Sequence, residues 1–464
     1  MYNIKAKKGV SVSQKFSEWA SMLDVTSIPK QLKSSIKNAL LDHVGLCIAA
    51  RNLDYVKAMF RISCNSGNCR AFGHTDRIDF TSAALINGTA AHGEDYDDTF
   101  EGTPVHTGAV IIPAVLATAE EFQLSGNDAL RGIAVGTEFM CRMALVSPTA
   151  IHRAGFHPTG IIGALGAAVA VSSALKLSAK QMTDAIGIAG SFASGIIEYL
   201  AEGTWTKRLH AGWAAQSGIK AALLGRERFL GPRTVIEGQH GFFFAFGDPT
   251  IPVDHSQLTN ELGVKWHARN IAFKPYACGT MTQPFIDCAI KLGQDGTVAS
   301  EIRSIKCMVG EGTVHRLWEP LSEKRNPSTP YSAKFSGPFC VAVGLIDQAA
   351  GLAQFTEKRI TNKNVIDLAN RVNYEVDPAN KYPENYSGQI FVTLADGTTK
   401  TFFQPHLRGG AKEPILSSEL EQKFYENVAF GGLSTKQASN LKKWCSEFFD
   451  SPNTRKNFVL LNQN

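Results

Sequence analysis

The chain has 464 residues, of which 44% are apolar and 19% charged, with a formal net charge of +5. This is the composition of an ordinary globular protein with room for two or three domains. No Lys/Arg run exceeds two residues, which argues against a nucleic-acid-binding stripe, and the longest apolar stretch, Ile161 to Leu175, falls short of the ~20 residues of a membrane span.

In chain order, the N-terminal segment Met1 to Met22 is basic at first but has no apolar signal-peptide core. From about residue 12 to 268 the sequence is helix-like. The segments Ile36–Ala50, Ala109–Gln123, Asn127–Leu145, Ile161–Leu175, Ala179–Ser191 and Gly212–Leu224 are rich in Ala, Leu and Ile and are separated at Gly, Pro, Ser and Asn. Ser125-Gly126-Asn127 and Ser178-Ala179-Lys180-Gln181 carry helix-start signals. The 161–175 segment is apolar on all sides and dominated by small residues, which predicts a helix buried among other helices. After Lys274-Pro275-Tyr276 the pattern changes. A helix over Pro284–Leu292 precedes a strand over Ile302–Val309, an apolar helix over Gly337–Ala353, and a period-two strand over Val372–Val376. Gln389–Leu394 and Thr398–Phe402 flank Ala395-Asp396-Gly397, the signature of a β-hairpin with an Asp-Gly turn. Helices return at Glu419–Asn427 and Thr435–Phe449. The expected fold class is mainly α: a large all-helical domain made from both chain ends (1–268 and 406–464) plus a smaller α+β lid domain (269–405).

The chemistry concentrates in His92-Gly93-Glu94-Asp95-Tyr96-Asp97-Asp98-Thr99, with His106 following in Pro104-Val105-His106-Thr107-Gly108. Counting Glu101, five carboxylates and two imidazoles fall within these 15 residues. Groups packed this densely perturb one another's protonation, which is how acid/base sites are made, and the run reads as a loop. Three further basic elements sit at helix starts: His106 before the helix near Thr107-Gly108, His157 in Phe156-His157-Pro158-Thr159-Gly160, and Lys207-Arg208 ahead of a helix beginning near Ala211. Helix N-termini favour carboxylates and phosphates, so these positions suit a polyanionic small molecule. Each element alone has a structural alternative. A histidine before a helix can be a cap, as can be said of His152, His240 and His267; Asp97-Asp98-Thr99 can be turn chemistry; Lys207-Arg208 can be a solvated pair. His92, Glu94, Asp95 and Asp98 could also hold a hard divalent metal, although no recognised ligand spacing is present. Nine scattered cysteines without a CxxC pair suggest reduced thiols in a cytoplasm, and Cys64 and Cys69 are too isolated for a zinc site.

Taken together, His-Gly-x-Asp-Tyr-Asp-Asp-Thr with a following His, the His-Pro-Thr-Gly that opens a small-residue helix, Thr206-Lys207-Arg208-Leu209-His210-Ala211-Gly212, Phe273-Lys274-Pro275-Tyr276 and Ala333-Lys334-Phe335-Ser336 resemble the MmgE/PrpD family over nearly the whole chain. The resemblance implies a helical domain with a smaller lid, a homodimer, and no metal or organic cofactor. Carried over by position, the family's active-site set falls on Asp95, Thr99, His106, His157 and Lys207, with Arg208, Lys274 and Gln283 as substrate-binding candidates. Gln283 stands where the family tends to have His, and an amide cannot shuttle a proton near neutral pH.

The resulting expectation is a cofactor-independent lyase acting on a small di- or tricarboxylate, of the 2-methylcitrate dehydratase type. In it His106 and Asp95 do acid/base work, Thr99 orients, and Lys207 and His157 bind carboxylate and stabilise charge. An epimerase of a small dicarboxylate such as iminodisuccinate, which needs only two proton carriers on opposite faces, is the first alternative. A non-catalytic carboxylate-binding protein is the second. Neither a nucleic-acid nor a membrane partner is expected.

Overall fold

The computed structural model describes residues 9–63, 66–103 and 105–455, so Cys64, Pro104 and the first eight residues of the N-terminal segment lie outside the described residues. Helices of nine residues or more, numbered in chain order, are α1 Val12–Met22, α2 Lys30–Ala50, α3 Asp54–Ile62, α4 Phe80–His92, α5 Gly108–Phe122, α6 Gly126–Val146, α7 Pro158–Ala174, α8 Ala179–Phe192, α9 Thr206–Arg226, α10 Gln283–Gln294, α11 Gly337–Asp347, α12 Ser417–Phe430 and α13 Thr435–Glu447. The strands are β1 Thr99–Phe100, β2 Ile271–Ala272, β3 Ile302–Val309, β4 Val372–Val376, β5 Gly388–Leu394 and β6 Thr399–Gln404. The fold is mainly α.

The start signals act as expected. Ser125 and Ser178 each cap a helix by accepting the backbone N–H three residues on, and Asp128 and Gln181 return the bond to the cap N–H. Three differences from the sequence pattern bear on the site. Helix α4 had no predicted counterpart: its residues are small and buried nearly all round, so no amphipathic stripe marks it. Asp79 caps its start, and His92 is its last residue, inside the helix where a loop was expected. Helix α9 begins at Thr206, so Lys207 and Arg208 stand in its first turn and not ahead of it. Helix α11 ends at Asp347 and does not run to Ala353, because Gln348 turns left-handed at φ 48°.

Helix α7 is buried along its whole length, between α5, α6, α8 and α9. Its small residues let neighbouring backbones approach closely. The crossing of α4 and α9 depends on two glycines: a Cβ on Gly88 would lie 2.7 Å from the Gly212 Cα, and one on Gly212 would lie 2.1 Å from the Leu85 carbonyl oxygen. This approach brings the end of α4 beside the start of α9. The C-terminal helices α12 and α13 return to pack on α2.

The four-stranded sheet runs β4-β3-β5-β6, with β3/β4 parallel and the other pairs antiparallel. Helices α10 and α11 cover one face, and β3 alternates buried Ile305, Cys307 and Val309 with exposed Arg303 and Lys306. The β5–β6 hairpin closes over Asp396 and Gly397, the latter at φ 90°. A separate two-stranded ladder pairs Thr99 with Ala272 and Phe100 with Ile271. It ties the acidic segment to the chain just before Lys274. All eight described free cysteines are buried.

Candidate functional site

Four imidazoles gather where α4 ends and α5, α7 and α9 begin. His92 lies 5.0 Å from His106 and 5.5 Å from His157 between ring centroids, and His157 lies 5.3 Å from His210. The His106 Nδ1 is 2.8 Å from the Asp98 carbonyl oxygen, an atom that can only accept, so Nδ1 carries the proton. Burial pushes this imidazole down to about 3, outweighing the nearby Asp97 carboxylate. At neutral pH His106 is therefore uncharged, with an unprotonated Nε2 that makes no hydrogen bond among the described residues. The Asp97 Oδ2 lies 2.7 Å from the His92 Nδ1 and 3.5 Å from the His106 Nδ1. Burial alone would raise Asp97, but His106, His92 and Lys274 hold it below the usual carboxylate range. Asp98 does different work. Its carboxylate accepts from the Gly108 N–H at 3.0 Å and the Thr107 hydroxyl at 3.0 Å, filling the N-terminus of α5 that was expected to receive a ligand. Burial and the Asp97 charge raise Asp98 to about 7.

The acidic segment is held by lysines from three distant parts of the chain. Lys334 donates to the Glu94 carbonyl at 2.8 Å, Lys274 to the Asp95 carbonyl at 2.9 Å, and Lys423 to the Tyr96 carbonyl at 2.8 Å. These lysines are 1%, 2% and 4% exposed. The segment they hold includes Asp95 at φ 54°, a conformation that costs a non-glycine residue on the order of 1 kcal/mol. In it the Asp95 carboxylate pairs with the Lys207 ammonium. Burial alone would raise Asp95, but Lys207, Lys274 and His92 overcome it, so the carboxylate stays ionised. Glu94 faces Lys334 at 3.2 Å and Arg208 at 3.7 Å, and the Arg208 guanidinium lies between the Tyr55 and Tyr331 rings at 4.4 and 4.7 Å.

Of the residues singled out in the sequence, Asp95, His106, His157, Lys207 and Lys274 are brought into one buried cluster, with partly buried Arg208 at its edge. Thr99 lies beside it in β1. Gln283 is fully buried; its amide nitrogen donates to the Tyr276 carbonyl at 3.4 Å and its amide oxygen has no hydrogen-bond partner among the described residues. His152 pairs with Arg316 and His240 packs on Phe244, away from the cluster. The foursome considered for a metal disperses, with Glu94, Asp95 and Asp98 each turned to a different partner. A different trio, His92, Asp97 and His106, has one ligand atom each within 4.8 Å of the others. Within it the His92 Nδ1 and Asp97 Oδ2 already hydrogen-bond each other, the His106 Nδ1 is committed to the Asp98 carbonyl, and the Lys274 ammonium lies 4.0 Å from the Asp97 Oδ1. A cation there would displace bonds that the protein has already made.

The sequence pattern gave Asp97 and Asp98 only turn or metal-ligand readings and assigned no role to His210, Lys334, Lys423 or Asp42. Lys423 had a signal: it shares the apolar face of α12 with Leu420, Phe424, Asn427 and Val428, where a charge is out of place unless paired. Its partner is Asp42, 2.7 Å away on the buried face of α2. Leaving the imidazoles aside, the cluster sets five cations (Lys207, Arg208, Lys274, Lys334, Lys423) against four carboxylates (Asp42, Glu94, Asp95, Asp97), with Asp98 titrating near neutrality. With Asp98 about half ionised at pH 7 the formal surplus is less than one positive charge, a balance that tolerates an anionic guest. A cleft of about 830 Å³ between Ser34, Arg269 and Pro414 is lined by none of the predicted site residues.

Neutral imidazoles beside buried ammonium groups, at a junction of helix ends, define a class of protein that can move protons on an anion. The MmgE/PrpD N-terminal domain model matches residues 14–252 and the MmgE/PrpD C-terminal domain model matches residues 276–447, so the chain belongs to the MmgE/PrpD family. It is similar to the cis-aconitate decarboxylase of Aspergillus terreus (strain NIH 2624 / FGSC A1156), with 27% identity over 446 residues that span 90% of this chain and 89% of that protein. The Homo sapiens cis-aconitate decarboxylase is 26% identical over 438 residues, or 90% and 88% of the two chains. That of Mus musculus is 27% identical over 432 residues, or 90% and 87%.

Proposed function

We propose that this protein is a lyase that acts on a small di- or tricarboxylate without a cofactor. The observation that carries the reading is the neutral His106, its Nδ1 proton committed to the Asp98 carbonyl, in the same buried cluster as Lys207, with partly buried Arg208 at its edge. The family membership and the names of the relatives support it and make loss of carbon dioxide the first chemistry to test. In that chemistry the carbon–carboxylate bond breaks and its electron pair is left on a carbon next to the remaining unsaturated acid. Cations beside that acid stabilise the growing enolate-like charge. Lys207 takes this role, Arg208 holds a second carboxylate, and the bare His106 Nε2 and His157 move protons. Asp95, expected at the outset to share the acid/base work, is instead assigned to orienting Lys207, because a carboxylate kept ionised by two ammonium groups is a poor base. Lys274 orders the segment through the Asp95 carbonyl, and Thr99 keeps its expected orienting role.

One observation favours a second reading: two neutral imidazoles, His106 and His157, both lie within 5.5 Å of His92, and an epimerase needs two such proton carriers. Proton NMR of the purified protein in deuterated water, with cis-aconitate, citrate, 2-methylcitrate and iminodisuccinate offered separately, separates the two. A new alkene signal, or loss of carbon dioxide, supports the lyase. Deuterium entering next to a carboxylate with no alkene moves the protein to the epimerases, and silence with every substrate removes both readings. The proposal extends to a cytoplasmic homodimer with no nucleic-acid or membrane partner. Light scattering that returned the mass of one chain, 50.3 kDa, would remove the dimer.

A further inference from the structure

His210 carries no role in the reaction outlined above, yet its geometry is specific. Its Nδ1 lies 3.2 Å from the Nδ1 of His157, and the two residues are 8% and 5% exposed. Two facing imidazole nitrogens at this distance can share only one proton, so the rings hold opposite tautomers. Burial and the nearby His92 and Lys207 lower both imidazoles, His210 to about 4, so the pair is uncharged at neutral pH. Neither Nε2 makes a hydrogen bond among the described residues.

Both rings are braced. The His157 ring stacks on His92 at an interplanar angle of 23°, and its backbone N–H donates to the Gly195 carbonyl at 2.8 Å. Gly195, at φ 130°, also lies against the His210 ring, where a Cβ would approach Nδ1 to 3.1 Å. Tyr199 packs edge-on against both imidazoles. Gly160 also abuts His210, where a Cβ would lie 3.1 Å from the His210 Cβ, so a larger residue at either glycine would crowd this ring.

We propose that His157 and His210 form a proton relay that carries a solvent proton to the carbanion left when carbon dioxide departs, with His157 touching the substrate and His210 acting through it. The step balances. The carbon–carboxylate bond breaks, carbon dioxide leaves, and the electron pair stays on carbon. That carbon takes the Nε2 proton of His157, the His157 Nδ1 takes the Nδ1 proton of His210, and the His210 Nε2 takes one proton from solvent. Both rings end neutral with their tautomers exchanged, and a reverse shift or ring rotation resets them. Decarboxylation consumes one solvent proton per turnover, whereas dehydration and epimerisation only redistribute protons, so this relay suits the first of these. It rests on the lyase reading above.

The test compares the wild-type protein with His210→Asn and His210→Ala, using cis-aconitate as the probe and thermal melting to check folding. Asn can still hold the His157 Nδ1 but cannot pass a proton through itself. The relay requires kcat of His210→Asn to fall by about 10²-fold with KM unchanged, and kcat of His210→Ala to rise with added imidazole. An active wild type with His210→Asn unchanged overturns the relay alone. Equal losses in kcat and substrate affinity, without imidazole rescue, overturn it in favour of a packing role. A wild type inactive on every carboxylate overturns the proposed function and the relay together. 15N spectra of histidine-labelled protein, assigned with the same variants, read the pair without turnover: opposite tautomers are expected, and like tautomers overturn the relay.

Discussion

On the exposed face of the sheet, Lys306 and Glu375 meet at 2.8 Å with about half of each side chain in solvent. Beneath the acidic segment, Lys423 and Asp42 meet at 2.7 Å with 3% and 4% of their side chains exposed. The residue types and distances are alike, but the surroundings are opposite. In water the surface pair gains little, because solvent screens the charges and two flexible chains must be fixed. The buried pair has lost its hydration, so each charge depends on the other, and Lys423 also serves the Tyr96 carbonyl. The lesson is that the cluster is held as a unit: its lysines fix backbone carbonyls and thereby the side chains those carbonyls carry.

The sharpest way to break this contrast is Lys423→Met, which leaves Asp42 unpaired in the interior. Urea unfolding should report a loss of about 3–5 kcal/mol, and adding Asp42→Leu should return much of it. A loss under about 1 kcal/mol would mean that the buried pair behaves like a surface one. Next in size, Lys207→Ala should lower kcat/KM on the carboxylate substrate by the equivalent of about 3–4 kcal/mol, as for loss of one oxyanion donor. Turnover close to wild type would take Lys207 out of the reaction.

Acid sharpens the comparison through His43 and His106, both lowered by burial from 6.5 to about 3. Between those values the unfolded chain binds more protons than the folded one. Stability is therefore fully present above pH 6.5 and declines as pH falls toward 3. At pH 5 the expected loss is about 2 kcal/mol for each ring. Asp98, raised to about 7, contributes stability as pH falls over the same range and offsets part of it, so the readout is the NMR titration of each imidazole between pH 7 and pH 5. Imidazole signals of His43 or His106 that titrated between pH 7 and pH 5 would contradict neutral, buried rings. The smallest effect belongs to the surface: Lys306→Ala should change stability by less than about 1 kcal/mol and leave turnover alone.

Much of the site was legible before any coordinates. The density of carboxylates and imidazoles between His92 and His106, His157 at the mouth of a small-residue helix, and Lys207 with Arg208 all fall in one cluster. What could not be read was the division of labour. Asp95 and Asp98 are chemically the same, yet one is kept ionised by Lys207 and the other is raised to about 7 beside Asp97. That difference lies in which neighbours each carboxylate meets. Gln283 is a second case, a motif position whose buried amide donates to the Tyr276 carbonyl, a partner that no local pattern announces.

By itself, the sequence determined the class of fold and the inventory of reactive groups. Local signals suffice for both: serine caps, small-residue helix faces, the Asp-Gly hairpin, and ionisable residues crowded into one segment. The tertiary structure alone decided that lysines 274, 334 and 423 converge on three consecutive carbonyls, that His210 faces His157, and that His92 ends a helix. Protonation states and tautomers belong to this second kind. They are set by burial together with both near partners, such as Asp98 for His106, and ones more than a hundred residues away, such as Lys207 for Asp95, and no local pattern encodes which groups will share a low-dielectric space.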